Sequence, residues 1–279
     1  LRDNVYKFWV AEKINNGSTL VLIQHGGAYG YKRLFQNEEY ELSVSDKFFS
    51  WGWKNHKKII PVGNISVSKK KKYPVQKKNK LLLIVGLHKI FKIDNNLFNV
   101  NDLKIFQENV QLFFNSLDFN LFETINIREH PTSLNKFSLK FKDFFKHDSI
   151  KIKYTSVTSN LDKIIEKHSL VVTTYDSSEF LHLLALDKPC MQIFEKKFIK
   201  KEFIYLFDKL YNCGILHEDA SSLVKKINEV GKDTYNWWRQ NQLKSIRNLF
   251  CKKFINTDID YNLFYSELKL LRKKLILKE

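Results

Sequence analysis

Hydrophobic and polar positions follow two different regimes along this chain. From residue 81 onward, short apolar runs alternate with stretches of helical spacing. The runs are "LLLIVG" at 81–86, "ETINIREHP" at 123–131, "IKIKYTSV" at 150–157, "SLVVTTYDSS" at 169–178 and "PCMQIF" at 189–194. The intervening periodicity predicts helices around 102–117, 134–145, 160–167 and 178–186, and "PCMQIF" closes the series. Strands rich in Val, Ile and Thr that alternate with helices imply a parallel sheet covered on both faces, a Rossmann-like half. In such sheets ligands sit outside the carboxyl ends of the strands.

Before residue 69 the pattern is less regular. "VYKFWVAEKINNG" reads as a helix that stops at Asn-Gly, and "STLVLIQ" as a buried strand. "DKFFSWGW" and "KKIIPVG" are two more apolar runs that contain or end in glycine. Between the regimes lies "NISVSKKKKYPVQKKNK", with a charge block and no sustained apolar period, which predicts a basic linker over 69–80. This divides the chain into 1–68, the linker, a Rossmann-like lobe over 81–257 and a closing helix over 258–279. In "YNWWRQNQLKSIRNLFCKKF", helical spacing aligns Tyr235, Trp238, Ile246, Leu249 and Phe250 on one docking face. The final segment carries Phe264, Leu268, Leu271 and Leu275 as a stripe with lysines opposite. Such a helix either packs on its own protein, the commoner outcome, or lies on a membrane surface.

Composition narrows the options. With 279 residues, 43% hydrophobic and 14% aromatic, the chain can bury a sizeable core, and disorder from low hydrophobicity is excluded for most of it. The net charge of +17 invites nucleic acid as a partner. Outside Lys69–Lys72, however, the lysines are scattered along polar helix faces among Asp and Glu, which reads as a solvated surface. The other outcome of such charge is attraction to anionic lipid or substrate. Three widely spaced cysteines, Cys190, Cys213 and Cys251, show neither metal spacing nor a disulfide framework and suit a reducing cytosol. No apolar run approaches the ~20 residues of a membrane span. The chain starts at Leu1 without a methionine, so an upstream portion is expected.

Three polar clusters fall at strand ends. The first is His25, Gly26, Gly27 and Gly30 in "QHGGAYG", where glycine lets another molecule approach the backbone. The second is Arg128 and His130 in "REHP": a planar fork for phosphate or carboxylate, and a ring that exchanges protons near neutral pH. The third is Thr174, Asp176, Ser177, Ser178 and Glu179 in "TTYDSSEF". There Asp176 with Glu179 fits a helix N-cap, and a helix start with hydroxyls is also an anion site. Each reads separately as a turn, a strand end or a cap. The first cluster lies on the other side of the linker from the others, and two lobes closing over a cleft would bring all three together. His88, His147, His168 and His217 have no such setting and read as structural or surface residues.

"QHGGAYG", "ELSVSDKFFSWGW", "REHP", "TTYDSSEFLHLLALDKPCM" and "NWWRQNQL", in that order from about Leu20 to Phe254, resemble a transferase family. That family occurs in bacterial surface-carbohydrate gene clusters and is itself similar to CDP-glycerol glycerophosphotransferases of GT-B fold. The resemblance implies two Rossmann-like lobes, with residues 1–68 the last part of a longer N-terminal lobe and the donor nucleotide held mainly by the second. It makes His25 the general base on an acceptor hydroxyl and His130 a contact to the donor phosphate. It also places Ser177 and Ser178 near the same phosphates; Gly26, Gly27, Arg128, Thr174, Asp176 and Glu179 are the further donor- or phosphate-binding candidates that the three clusters offer. The acidic residue expected before the Asp of "VSD" is Glu39 or Glu41. No clustered carboxylates suggest a divalent ion, so neither a cofactor nor a metal is expected.

The partners implied are a nucleotide-activated sugar or alcohol-phosphate donor and a glycan or lipid-linked acceptor, without nucleic acid. The implied place is the cytoplasm, with a peripheral contact at the inner face of an anionic membrane left open. Two other readings stay open: a nucleotide-sugar 2-epimerase-like enzyme, and a basic binding module without chemistry.

Overall fold

The apolar runs become strands of two separate parallel sheets in the computed structural model, which describes residues 3–76, 78–86, 100–134, 141, 145 and 149–276. The chain forms two units, Leu1–Lys70 with Leu249–Glu279, and Lys71–Asn248, so it passes from one to the other twice. Among the described residues no helix is long and apolar enough to cross a membrane.

In the first unit, helix α1 (Asn4–Asn15) is capped by Asp3, whose carboxylate accepts from the N–H groups of Val5 and Tyr6. Strands β1 (Val21–Ile23), β2 (Lys47–Ser50) and β3 (Ile59–Pro61) pair in that order, all parallel. Helix α2 (Gln36–Val44) connects β1 to β2, and the single turn α3 (Ile65–Ser68) follows β3. The Trp-Gly-Trp run has a packing reason. Gly52 sits at φ +146°, and a Cβ there would lie 2.8 Å from the Lys252 carbonyl. The same approach is fixed by bonds from Asn256 N–H to the Trp51 carbonyl and from Asn64 N–H to the Asn256 carbonyl, each 2.7 Å.

The last helix of the chain, Tyr261–Ile276, packs Leu263 and Phe264 against Phe49, Ile60 and Val62. Its residue Glu267 pairs with Lys47 at 3.4 Å. The closing helix therefore belongs to the first unit instead of standing apart. Of the predicted stripe, Leu271 is buried whereas Leu268 is exposed.

The second unit holds six parallel strands: β4 (Lys80–Val85), β5 (Thr124–Glu129), β6 (Ile152–Thr155), β7 (Leu170–Thr173), β8 (Cys190–Ile193) and β9 (Leu216–His217). Their order is β6-β5-β4-β7-β8-β9. Counted from β4, that is the doubly wound order of dinucleotide-binding sheets, with the reversal at β4. The central strands are buried on both faces, which is why they read as continuous apolar runs. The crossovers carry α4 (Val100–Ser116), α5 (Leu161–Glu166), α6 (Ser178–Ala185) and α7 (Ile204–Asn212), and α8 (Ala220–Val230) follows β9. The helix expected around 134–145 lies outside the described residues, apart from Leu134 and the isolated positions 141 and 145.

Two expectations change here. "PCMQIF" does not close the sheet, because β9 pairs with β8 beyond it. The segment 235–254 is two helices, α9 (Thr234–Arg239) and α10 (Asn241–Phe254), because Gln240 between them takes an extended ψ of 133°. The break rotates the expected face: Leu249 is exposed, while Trp237, Trp238, Leu243, Arg247 and Phe250 are buried. Part of the stretch read as a basic linker is anchored. Tyr73 donates its N–H to the Leu186 carbonyl and its hydroxyl to Asp162, tying that stretch to the second unit.

Candidate active site

At the reversal of the six-stranded sheet, three strand ends converge. The His130 N–H donates to the Val85 carbonyl at 2.9 Å and the Thr174 N–H to the Ile84 carbonyl at 3.1 Å, so the chain after β5 and after β7 is pinned to β4. The Gly86 N–H reaches the Thr174 hydroxyl at 3.4 Å. These ends frame a cavity of about 310 Å³ that takes in Arg128, His130, Tyr175, Asp176, Ser177 and Glu179. Volumes of this order are the low end for small-molecule sites.

Ser177, not Asp176, is the cap of α6. Its backbone is extended and its hydroxyl accepts from the Phe180 N–H at 3.3 Å. Asp176 stands one residue outside, and Glu179 lies in the first turn. The positive end of the α6 dipole therefore faces the cavity together with Ser177 and Ser178. His130 meets Tyr175 edge-on, ring centroids 5.6 Å apart. Burial lowers the His130 pKa, so its ring is neutral near pH 7. Burial, then Glu179, pushes the Tyr175 phenol well above its ordinary value, so it stays protonated.

Arg128, the planar fork of the sequence reading, lines the same cavity and is also bonded to backbone. It is buried, and its two terminal nitrogens donate to the Ser156 and Val157 carbonyls, each at 2.9 Å. Its fork holds the loop after β6 and forms one wall of the cavity.

The first unit carries the His-Gly-Gly turn after β1. Gln24 braces it: its amide donates to the Gly26 carbonyl at 2.8 Å, and its oxygen accepts from Trp51 N–H and Trp53 Nε1. Ala28 and Gly30 take positive φ, and a Cβ on Gly30 would meet Trp53 Cγ at 2.5 Å. The turn thus folds back and aims Tyr29 inward beside His25.

Here sequence reasoning missed a partner. The buried Tyr29 hydroxyl donates to Glu41 Oε2 at 2.8 Å and lies 3.3 Å from His25 Nδ1. Burial, then the Glu41 carboxylate, raises the Tyr29 pKa far above its ordinary value, so the phenol keeps its one proton and spends it on Glu41. His25 Nδ1 must then be the donor to Tyr29, which leaves the lone pair on Nε2. Glu41 Oε1, 3.8 Å from Nδ1, is placed to stabilise an imidazolium, and 64% of the His25 side chain is open to solvent. Between the two acidic candidates, Glu41 is buried beside the ring and Glu39 is exposed. Glu38, also buried, accepts from the Gly30 N–H at 2.6 Å.

Of the other histidines, His168 and His217 are buried, with ring nitrogens on the Ile164 and Gly214 carbonyls at 2.7 and 3.0 Å, which are structural roles. His88 and His147 lie outside the described residues. None of the three cysteines forms a disulfide.

A family model described as "LIC12162 family transferase" matches residues 1–267. No curated protein matches significantly. Among solved structures, the wall teichoic acid polymerase TagF aligns at 14% identity over 93% of this chain and 69% of its own, with a TM-score of 0.46. The UDP-GlcNAc 2-epimerase of Methanocaldococcus jannaschii, solved with UDP-GlcNAc and UDP, aligns at 15% over 77% and 62%, with a TM-score of 0.44. MurG of Acinetobacter baumannii aligns at 11% over 87% and 69%, also at 0.44.

Proposed function

Because the chain belongs to the LIC12162 family of transferases, we propose that it moves a glycosyl or glycerophosphoryl group from a nucleotide-activated donor to a hydroxyl of a glycan or lipid-linked acceptor. The observation that carries this reading is the strand-end cavity at the sheet reversal, where His130, Ser177 and the start of α6 face one space. That is where a doubly wound sheet offers its dipoles and N–H groups to phosphate.

The chemistry divides between two imidazoles. His25 Nε2 takes the proton from the acceptor hydroxyl while that oxygen bonds to the reacting carbon or phosphorus. The bond to the nucleotide phosphate breaks, and its electron pair leaves with the phosphate. His130, Ser177 and the α6 terminus meet the charge that develops there. Glu41, through its contacts with Tyr29 and His25, stabilises the imidazolium that His25 becomes. A positioned base of this kind contributes ~10²–10⁴ in rate.

A thermal-shift and calorimetric series of CDP-, UDP-, GDP- and dTDP-linked compounds tests the donor half. One nucleotide class is expected to bind saturably and to stabilise the protein, and Ser177→Ala is expected to weaken that binding. Absence of binding across the series would remove the transferase reading. Turnover of a bound donor without any added acceptor would replace it with a reaction on the free nucleotide sugar.

A further inference from the structure

A second cavity, of about 360 Å³, opens at the opposite ends of the same strands. Asn79, Ser169 and Pro189, which immediately precede β4, β7 and β8, all line it. A six-residue strand such as β4 spans roughly 20 Å, so this cavity and the strand-end cavity are separate places.

Part of its wall is a closed structural knot. Asp187 takes a left-handed backbone at φ 59° and accepts at Oδ1 from Trp238 Nε1 and Arg247, each at 3.0 Å. The Arg247 guanidinium lies 3.8 Å from the Trp238 ring centroid and also donates to the Trp238 carbonyl. Lys72 approaches the other Asp187 oxygen at 3.8 Å. That single carboxylate is therefore already answered twice by cations.

What remains around the cavity is an excess of positive charge. Lys188, Lys232 and Lys244 all line it, and among the described residues none of the three forms an ion pair. Lys188 is only 1% exposed, with its ammonium 5.7 Å from the Tyr73 ring centroid. An ammonium held this deep without an ion pair among the described residues is costly, and burial drags its pKa down to about 8 against the pull of Glu166. Knot formation explains Asp187, Trp238 and Arg247; it gives no reason for a buried lysine beside two more. A bound anion does. Tyr73 and Tyr235 also line the cavity, each with a cation over its ring, and aromatic side chains of this kind suit a ring beside that anion.

We propose that this amino-end cavity binds a small phosphorylated molecule carrying a sugar-sized ring, with its phosphate on Lys188, Lys232 and Lys244. The site is independent of the transfer chemistry assigned above and stands or falls separately.

Calorimetry with glucose 1-phosphate and with inorganic phosphate as probes tests it. Saturable binding is expected, tighter for the ring-bearing probe. K188M is expected to weaken it at least tenfold, and Ser177→Ala, in the other cavity, by less than about twofold. Should K188M fail to fold by circular dichroism, the exposed double variant K232A/K244A must weaken binding fivefold or more. Three outcomes overturn the proposal: no saturable binding at millimolar probe, binding lost in S177A but kept in K188M, or binding unchanged in the lysine variants. Capture of phosphatidylglycerol vesicles by the same lysines, without affinity for the free probes, would also overturn it in favour of a lipid-facing surface.

Discussion

His25 and His130 are the same residue in opposite surroundings. His25 is largely open to water, yet its inner nitrogen is tied through Tyr29 to a buried carboxylate, and its outer nitrogen keeps its lone pair. His130 stands half-buried at the sheet reversal beside Tyr175, in a place that penalises its charge. The first arrangement suits accepting a proton. The second suits a neutral ring that gains charge only when a phosphate arrives. Residue type alone does not separate the two roles; what each ring's second nitrogen and its burial impose does.

The contrast is sharpest where one side is perturbed alone. Glu41→Gln keeps an acceptor for the Tyr29 hydroxyl but removes the counter-charge 3.8 Å from His25. Turnover is expected to fall about tenfold or more, with donor affinity unchanged in calorimetry, since an ion pair at this distance is worth ~1–4 kcal/mol. Ser177→Ala acts on the other side. It removes the α6 cap, costing about 1 kcal/mol in denaturant unfolding, and weakens donor binding several-fold without changing the pH dependence of turnover.

Smaller effects follow from pH. A donor phosphate beside His130 raises a pKa that burial has lowered, so binding takes up a proton and tightens as pH falls, by no more than about tenfold per unit. Folding responds in the opposite sense. His130, His168 and His217 all have pKa values lowered by burial, so the unfolded chain binds their protons first. The stability they contribute is present above about pH 6.5 and is lost as pH drops below it, which a melting series from pH 7.5 to 5.5 measures.

The strands of the second unit were legible because strands buried on both faces write continuous apolar runs, as at 81–85 and 170–172. Helix α2 was not, since its inward residues are Glu38 and Glu41 and it carries no apolar period. β9 is two residues long, too short to register as a run. The break at Gln240 has neither proline nor glycine to announce it. Among the candidate residues, His25, His130 and Ser177 stood out because their chemistry is local. Glu41 was one of two acidic candidates, but Tyr29 and its bond to Glu41 were hidden, because twelve residues separate the two and only the fold-back at Ala28 and Gly30 joins them. The contents of the amino-end cavity were equally hidden, split among stretches near residues 73, 188 and 240.

The most direct test compares two single variants, His25→Ala and His130→Ala, by turnover and by donor affinity measured separately. The account predicts that His25→Ala, at an exposed side chain, lowers turnover ~10²–10⁴-fold with donor affinity within about twofold of the parent. It predicts that His130→Ala loses donor affinity. Turnover that survives His25→Ala, or donor binding that collapses with it, would contradict the division of labour between the two rings.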